Sequence, residues 1–264
     1  MSYNPNPQQT KTRYGNMYYY QEDPTIGRSL ELYGEYTHVE VIYMQYFTNK
    51  DSCVVDIGAN IGTHTLGVCE TVGHVIAIEP DRTNFSLLVK NTKDRKNVTP
   101  MNLAISNCKG STDTDFNFGK TALCRGDRIK INTLDSLELP ADFIKIDAEG
   151  MELACLQGAT NTIDTYRPTL LVEMQDTETY AKTFDYLKSK DYYIYWFPVA
   201  TYHSENFKKN LNNVFGPKHG VINWLCTPTL LNTTLEPVVD NEDSVQRMNW
   251  RRRQNVGNDT KHGE

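Results

Sequence analysis

Between Cys53 and Phe197 short apolar runs alternate with stretches of helical period, and this alternation constrains the fold more than any other feature. Residues 53–57, 74–79, 98–104, 143–147 and 169–173 read as strands, each a brief apolar run rich in β-branched residues. Helices are predicted between them. One starts near Thr63, one sets Phe85, Leu88 and Val89 on a single face, and one runs from about Met151 to Gly158. Tyr180, Phe184 and Leu187 mark another. Strands separated by helices predict an α/β fold with a doubly wound, mostly parallel sheet and right-handed crossovers. Residues 192–197 and 221–226 read as two last strands with no helix between them, which predicts an antiparallel strand at one sheet edge.

At 264 residues the chain suits one core with short appendages. A polar arm is expected over 1–26, a single domain over 27–231, and an aperiodic, disordered tail over 232–264. Ahead of the first strand, Val39, Ile42, Tyr43, Tyr46 and Phe47 form one helix face. Residues 106–132 read as a β-excursion over the sheet. The net charge of −6 argues against a phosphate-tracking surface, and Arg251-Arg252-Arg253 is too short a run to change that, so no nucleic-acid partner is expected. No apolar run approaches the roughly 18 residues a membrane span needs, and the N-terminus has no signal-peptide core. The six cysteines are dispersed without a C-x-x-C pair, which points to a reduced, cytoplasmic setting. The oligomeric state is not legible.

The strand over 53–57 runs into Gly58-Ala59-Asn60-Ile61-Gly62 and then a helix. Glycines there let the backbone turn sharply and approach a ligand. Glu79 ends the next strand, where an acid can accept hydrogen bonds from two ribose hydroxyls. That geometry serves NAD and S-adenosylmethionine alike. The order Asp56-x-Gly58-x-Asn60-x-Gly62 separates them: an acid ahead of the glycines repels a pyrophosphate and suits the ammonium of a methionine moiety.

These segments, with Leu32-Tyr33-Gly34-Glu35, Ala77-Ile78-Glu79-Pro80, Ile144-Lys145-Ile146-Asp147-Ala148-Glu149-Gly150 and Arg167-Pro168-Thr169-Leu170-Leu171-Val172-Glu173, make the chain resemble the FkbM family of methyltransferases over about 27–226. The resemblance implies a seven-stranded class I (Rossmann-like) methyltransferase fold and O-methylation of sugars, glycans or small hydroxylated metabolites. By position, Asp56, Gly58, Asn60 and Gly62 would line the methionine end of S-adenosylmethionine, Glu79 the ribose, and Asn102 to Ala104 the adenine. Where the family often carries a histidine two residues after the last glutamate, this chain has Gln175.

Lys145, Asp147 and Glu149 gather at the end of the fourth strand as the catalytic candidates. Alternation puts Lys145 and Asp147 on one sheet face, and Glu152 in the next helical turn suits the helix dipole. Methyl transfer to an alcohol needs alignment and removal of a proton, and a sugar hydroxyl is a poor acid. Two remedies are open: burial that raises the pKa of a carboxylate base, or a divalent metal that acidifies the hydroxyl. Asp147 and Glu173 would then be ligands to Mg²⁺, with Glu149 the base. Otherwise Asp147 bonds the cofactor and Glu173 caps a loop.

His64 opens a helix and reads as a polar first-turn residue, while His203 sits in an aromatic loop as a possible substrate contact. The aromatic run 192–197 is explained by an edge strand as well as by sugar stacking. Glu35 and Glu40 begin the N-terminal helix, as caps or substrate contacts. An NAD-linked oxidoreductase and a non-catalytic S-adenosylmethionine-binding protein are the alternatives. The loop order disfavours the first and the intact acidic turn the second.

Overall fold

The computed structural model describes residues 6–113, 128–174, 177–217 and 219–239. The chain opens with an antiparallel hairpin, β1 (Gln8–Thr12) and β2 (Gly15–Tyr19), then two short helices, α1 (Ile26–Tyr33) and α2 (His38–Tyr46). The expected alternation follows: β3 (Cys53–Ile57), α3 (Thr63–Cys69), β4 (His74–Ile78), α4 (Arg82–Thr92) and β5 (Val98–Met101). A small sheet of β6 (Ala104–Ile105), β7 (Gly110–Asp113) and β8 (Arg128–Asn132) interrupts it. The remainder is β9 (Phe143–Ile146), α5 (Glu152–Gln157), α6 (Thr160–Tyr166), β10 (Thr169–Glu173), α7 (Thr177–Ser189), β11 (Tyr193–Ala200) and β12 (Gly220–Thr227).

Seven strands form the main sheet in the order β11-β12-β10-β9-β3-β4-β5. Strands β3, β4 and β5 build outward in one direction, and the chain then returns to lay β9 on the other side of β3. That reversal opens a crevice at the carboxyl ends of β3 and β9, the place where open α/β sheets bind ligands. β12 runs antiparallel to both β10 and β11. The reversed strand therefore stands one place in from the edge, with β11 outermost. The α7 crossover carries β11 past a gap one strand wide, and β12, which has no helix before it, turns back to fill that gap.

Alternation along the strands feeds two cores. Val55, Ile144 and Leu170 pack with Leu156, Ile163 and Leu187 of α5, α6 and α7. Val54, Phe143 and Leu171 pack on the other face with Leu30, Met44 and Leu66 of α1, α2 and α3. Burial on both faces explains why the central strands are mainly apolar, with Asp56 and Lys145 as their buried charges.

Several expectations are corrected. α2 buries Glu40, Val41 and Met44, while Ile42 and Tyr46 face outward at 47% and 79% exposure. Two contacts set this rotation: Glu40 is tied to His64, and Val41 presses on Gly67 of α3, where a Cβ would lie 2.7 Å from a valine methyl. α4 buries Leu87, Leu88 and Thr92 and leaves Val89 exposed. The strand expected over 98–104 stops at Met101, and Ala104–Ile105 pairs with β8. The N-terminal arm holds the hairpin, with Met17 and Tyr19 buried. Asn91 of α4 staples it through both backbone groups of Tyr18, at 2.7 and 3.0 Å. Residues 232–239, the start of the expected tail, follow the outer edge of β11. There the Trp196 N–H donates to the Glu236 carbonyl at 2.9 Å and the Val238 N–H to that of Ile194 at 2.8 Å.

Gln175, Cys124, Arg251 to Arg253 and residues 240–264 lie outside the described residues, as does 114–127 of the excursion. The cysteines described, Cys53, Cys69, Cys108, Cys155 and Cys226, are free thiols. Among the described residues no helix is long and apolar enough to cross a membrane.

Candidate active site

The glycine loop is shaped by its backbone. Gly58 has φ +80°, and a Cβ there would fall 1.8 Å from the Asp147 carbonyl oxygen, so the loop after β3 and the turn after β9 touch only because this residue is glycine. The N–H groups of Gly58 and Ala59 both donate to the Ile78 carbonyl at 2.9 Å, which ties the loop to the end of β4. Asn60, itself left-handed at φ +51°, donates its N–H to Glu79 Oε2 at 2.9 Å. The Asp81 N–H donates to Oε1 at 2.8 Å, so two backbone groups hold the Glu79 carboxyl in place. Burial pushes its pKa up to about 8 against the pull of those two hydrogen bonds.

A cavity of about 310 Å³ lies over these strand ends. Gly58, Asn60 and Glu79 line it, together with Ala104 from the segment after β5. Asp147 and Glu149 enter from the turn after β9, and Glu173 from the tip of β10. β10 and β4 are three strand steps apart, so Glu173 and Glu79 stand about 14 Å from one another across the crevice. Ile78, Leu103, Ile105 and Met151 give the wall an apolar stretch.

Four of the expected site residues lie behind this surface. Asp56 is fully buried; its Oδ2 accepts from Thr65 Oγ1 at 2.6 Å, and its Oδ1 lies 3.8 Å from Lys145 Nζ. The two are register partners on β3 and β9, which places both side chains on one face of the sheet. Gly62 caps α3 at φ +92° and packs on Leu88. Asn102 donates its amide to the carbonyls of Glu79 and Pro80 at 2.9 and 3.0 Å, which supports the loop that carries Glu79. Lys145 is 3% exposed.

Lys145, Asp147 and Glu173 form one charged unit. Lys145 Nζ lies 3.3 Å from Asp147 Oδ2, and Asp147 accepts a hydrogen bond from Glu173. Burial opposes ionisation of Asp147, yet Lys145 and the Glu173 bond outweigh it and hold the carboxyl below its usual range. Burial and the neighbouring Asp147 charge drive Glu173 well above the carboxylate range, so it carries the proton. Burial alone would discharge Lys145, but Asp147 and Asp56 keep it protonated.

This pair does not fit Mg²⁺. A hard cation needs ionised oxygens, whereas here one carboxyl is protonated against the other and an ammonium already supplies the counter-charge. Among the described residues no group of three or more His, Cys, Asp or Glu is arranged to hold a metal.

Glu149 and Gly150 are successive left-handed residues, at φ +49° and +96°, and turn the chain sharply into α5. A glutamate held there is backbone strain at the cavity wall, the kind that marks functional turns. Glu152 is buried and accepts from the Gly150 N–H at 2.8 Å, and burial raises its pKa to about 7; it braces the turn and does not line the cavity.

Asp23, Thr25, Ile26 and Tyr36 line the cavity as an N-terminal wall that sequence pattern does not mark. The Leu32-Tyr33-Gly34-Glu35 motif just before Tyr36 was the nearest signal. Behind Tyr36, His64 Nε2 sits 3.0 Å from Glu40 Oε2 and 3.0 Å from Thr37 Oγ1, and Glu40 also accepts from Asn223 at 3.3 Å. Glu35 pairs with Arg13 at 2.6 Å and with His203. These are braces beneath the wall. The aromatic run on β11 is buried in the two cores, apart from the exposed Tyr193, and is not part of the cavity.

The strand order, with its single reversed strand and a crevice over β3 and β9, defines a class I, Rossmann-like methyltransferase fold. Residues 126–194 match the family model described as the methyltransferase FkbM domain. A curated relative, the hexuronic acid methyltransferase AglP of Haloferax volcanii, is 29% identical over 155 residues, 52% of this chain and 62% of the relative. Among solved structures, wild-type Trm5b from Pyrococcus abyssi superposes with a TM-score of 0.50 at 11% identity, covering 84% of this chain and 56% of that one. The methyltransferase FkbM from Methylobacillus flagellatus KT gives 0.49 at 18% identity, covering 76% and 58%. The chain thus spans less than two thirds of the length of each of these relatives.

Proposed function

We propose that the chain transfers the methyl group of S-adenosylmethionine to a hydroxyl of a sugar, glycan or other small hydroxylated molecule. The observation that carries this reading is the cavity itself, which joins the Gly58–Asn60 loop and Glu79 to Asp147, Glu149 and Glu173. The curated relative, named for a hexuronic acid, supports a sugar acceptor. Residues 27–231 are taken as the catalytic unit, with Asp23, Thr25 and Ile26 of the preceding arm added to the cavity wall. The free, buried thiols of Cys155 and Cys226 suit the reducing cytoplasm.

The residues fit the cofactor. Glu79, fixed by two N–H donors, keeps lone pairs turned to the cavity for a ribose diol. The apolar stretch of Leu103 to Ile105 suits an adenine, and the acidic turn suits an ammonium and a sulfonium. When bound, S-adenosylmethionine supplies an electrophilic methyl group. The chain's own residues align the acceptor and receive its proton as the C–O bond forms and the C–S bond breaks. Alignment alone is worth roughly 7–11 kcal/mol.

Glu149 is assigned as the proton acceptor, because it lines the cavity on a turn that leaves it little freedom to move. Asp147 orients the reactants, held ionised by Lys145, which is a positioning residue that does not touch them. The test is transfer of labelled methyl from S-adenosylmethionine to a panel of sugars, with one S-adenosylhomocysteine formed per methyl transferred. Glu149→Gln is expected to lower kcat by about 10²–10⁴ while cofactor affinity holds. Unchanged kcat would remove Glu149 from the chemistry.

A further inference from the structure

The side chains that line the cavity are unbalanced in charge. Five carry carboxyls: Asp23, Glu79, Asp147, Glu149 and Glu173. Among the described residues no lysine, arginine or histidine lines it. Two buried basic side chains beneath the wall are already committed. Lys145 is buried between Asp147 and Asp56, at 3.3 and 3.8 Å, and His64 is paired with Glu40 at 3.0 Å.

An ionised carboxylate only accepts hydrogen bonds, and a protonated one still offers more acceptor sites than donors. The polar wall therefore matches a ligand rich in donors. A hydroxyl or an ammonium finds partners at every carboxyl. A carboxylate, phosphate or sulfate beside the reacting hydroxyl would meet mainly acceptors, with no lysine, arginine or histidine among the described lining residues, which is the costly case for a buried ion. Tyr36, Thr25, Asn60 and Asn84 add neutral donors to this wall, each too weak to replace a cation.

We propose that the acceptor bears no negative charge near its reacting hydroxyl, so that the chain favours neutral or amino sugars over sugar acids and sugar phosphates. This rests on reading the cavity as the site of methyl transfer, and it is where the chain would part from its curated relative. The remaining positive charge in a loaded site belongs to the cofactor, and the acidic turn answers it.

Glucuronamide and glucuronate test the proposal, because they share a shape and differ in charge. Labelled-methyl transfer to each is measured at pH 7 with the full chain, alongside calorimetry of S-adenosylhomocysteine binding. The amide is expected to give a kcat/KM at least about tenfold above that of the acid. An equal or higher value for glucuronate overturns the proposal. So does transfer to neither sugar by a chain that binds S-adenosylhomocysteine. A chain that does not bind S-adenosylhomocysteine overturns the methyltransferase reading itself, which separates the two failures.

Discussion

Glu79 and Lys145 show how single residues in this chain exchange stability for a prepared site. Glu79 is buried with a pKa near 8 against 4.5 for a free glutamate, so the folded, unliganded chain binds a proton that the unfolded chain has released. Its contribution is complete below about pH 4.5 and disappears as pH rises through 8. Urea unfolding across pH 5.5–8.5 should show wild-type stability falling more steeply than that of Glu79→Gln, by at most about 1.4 kcal/mol per pH unit. Parallel slopes would contradict the burial of this group. Glu152 shifts the same way, so some slope persists in the variant. Lys145 works in the opposite sense, as the cation between two buried carboxylates. Lys145→Met should cost about 3–5 kcal/mol in a denaturant titration, because Asp56 and Asp147 lose their counter-charge. Of the expected site residues, Gly58, Asn60, Glu79, Ala104, Asp147, Glu149 and Glu173 line the cavity, each at a strand end or turn that a linear motif marks. Asp56, expected at the methionine end of the cofactor, and Lys145, expected among the catalytic groups, lie beneath the floor, since nothing in a linear motif says that register pairs them there.

At the level of elements, the strands were the legible part. β3, β4, β9 and β10 are buried on both faces, and such strands must be short continuous apolar runs, which a sequence displays directly. Helix faces were read less well. α2 turns a glutamate inward and a tyrosine outward because Gly67 admits Val41, and a rule of periodicity has no knowledge of its neighbour. The hairpin of β1 and β2 escaped notice because its apolar positions, Met17 and Tyr19, are spread through a polar stretch. Two substitutions probe these elements. Trp224 on β12 is fully buried against Tyr180, Phe184 and Trp196, with ring centroids 5.4–6.3 Å away. Trp224→Ala should cost about 3–5 kcal/mol, seen as a lower denaturant midpoint with an unchanged slope. Asp81 caps α4 by accepting the Asn84 N–H at 2.8 Å, and Asp81→Ala should cost about 1 kcal/mol by the same measurement.

For the molecule as a whole, topology decides where chemistry can occur. The return of the chain from β5 to β9 opens one crevice, and the loops bearing Gly58, Glu79, Asp147 and Glu173 converge on it from separate parts of the sequence. Asp23, Thr25, the start of α1 and Tyr36 close it from the N-terminal side, which the sequence hinted at only through one short motif. If the crevice holds S-adenosylmethionine, its demethylated product should bind without any acceptor present. Ligand at 100 times its Kd would then stabilise the fold by about 2.7 kcal/mol. Isothermal calorimetry of the full chain against S-adenosylhomocysteine and NAD is the most direct test. The glycine loop, Glu79 and the acidic turn of Asp147 and Glu149 predict micromolar binding of S-adenosylhomocysteine and none of NAD, and binding of NAD alone would contradict it.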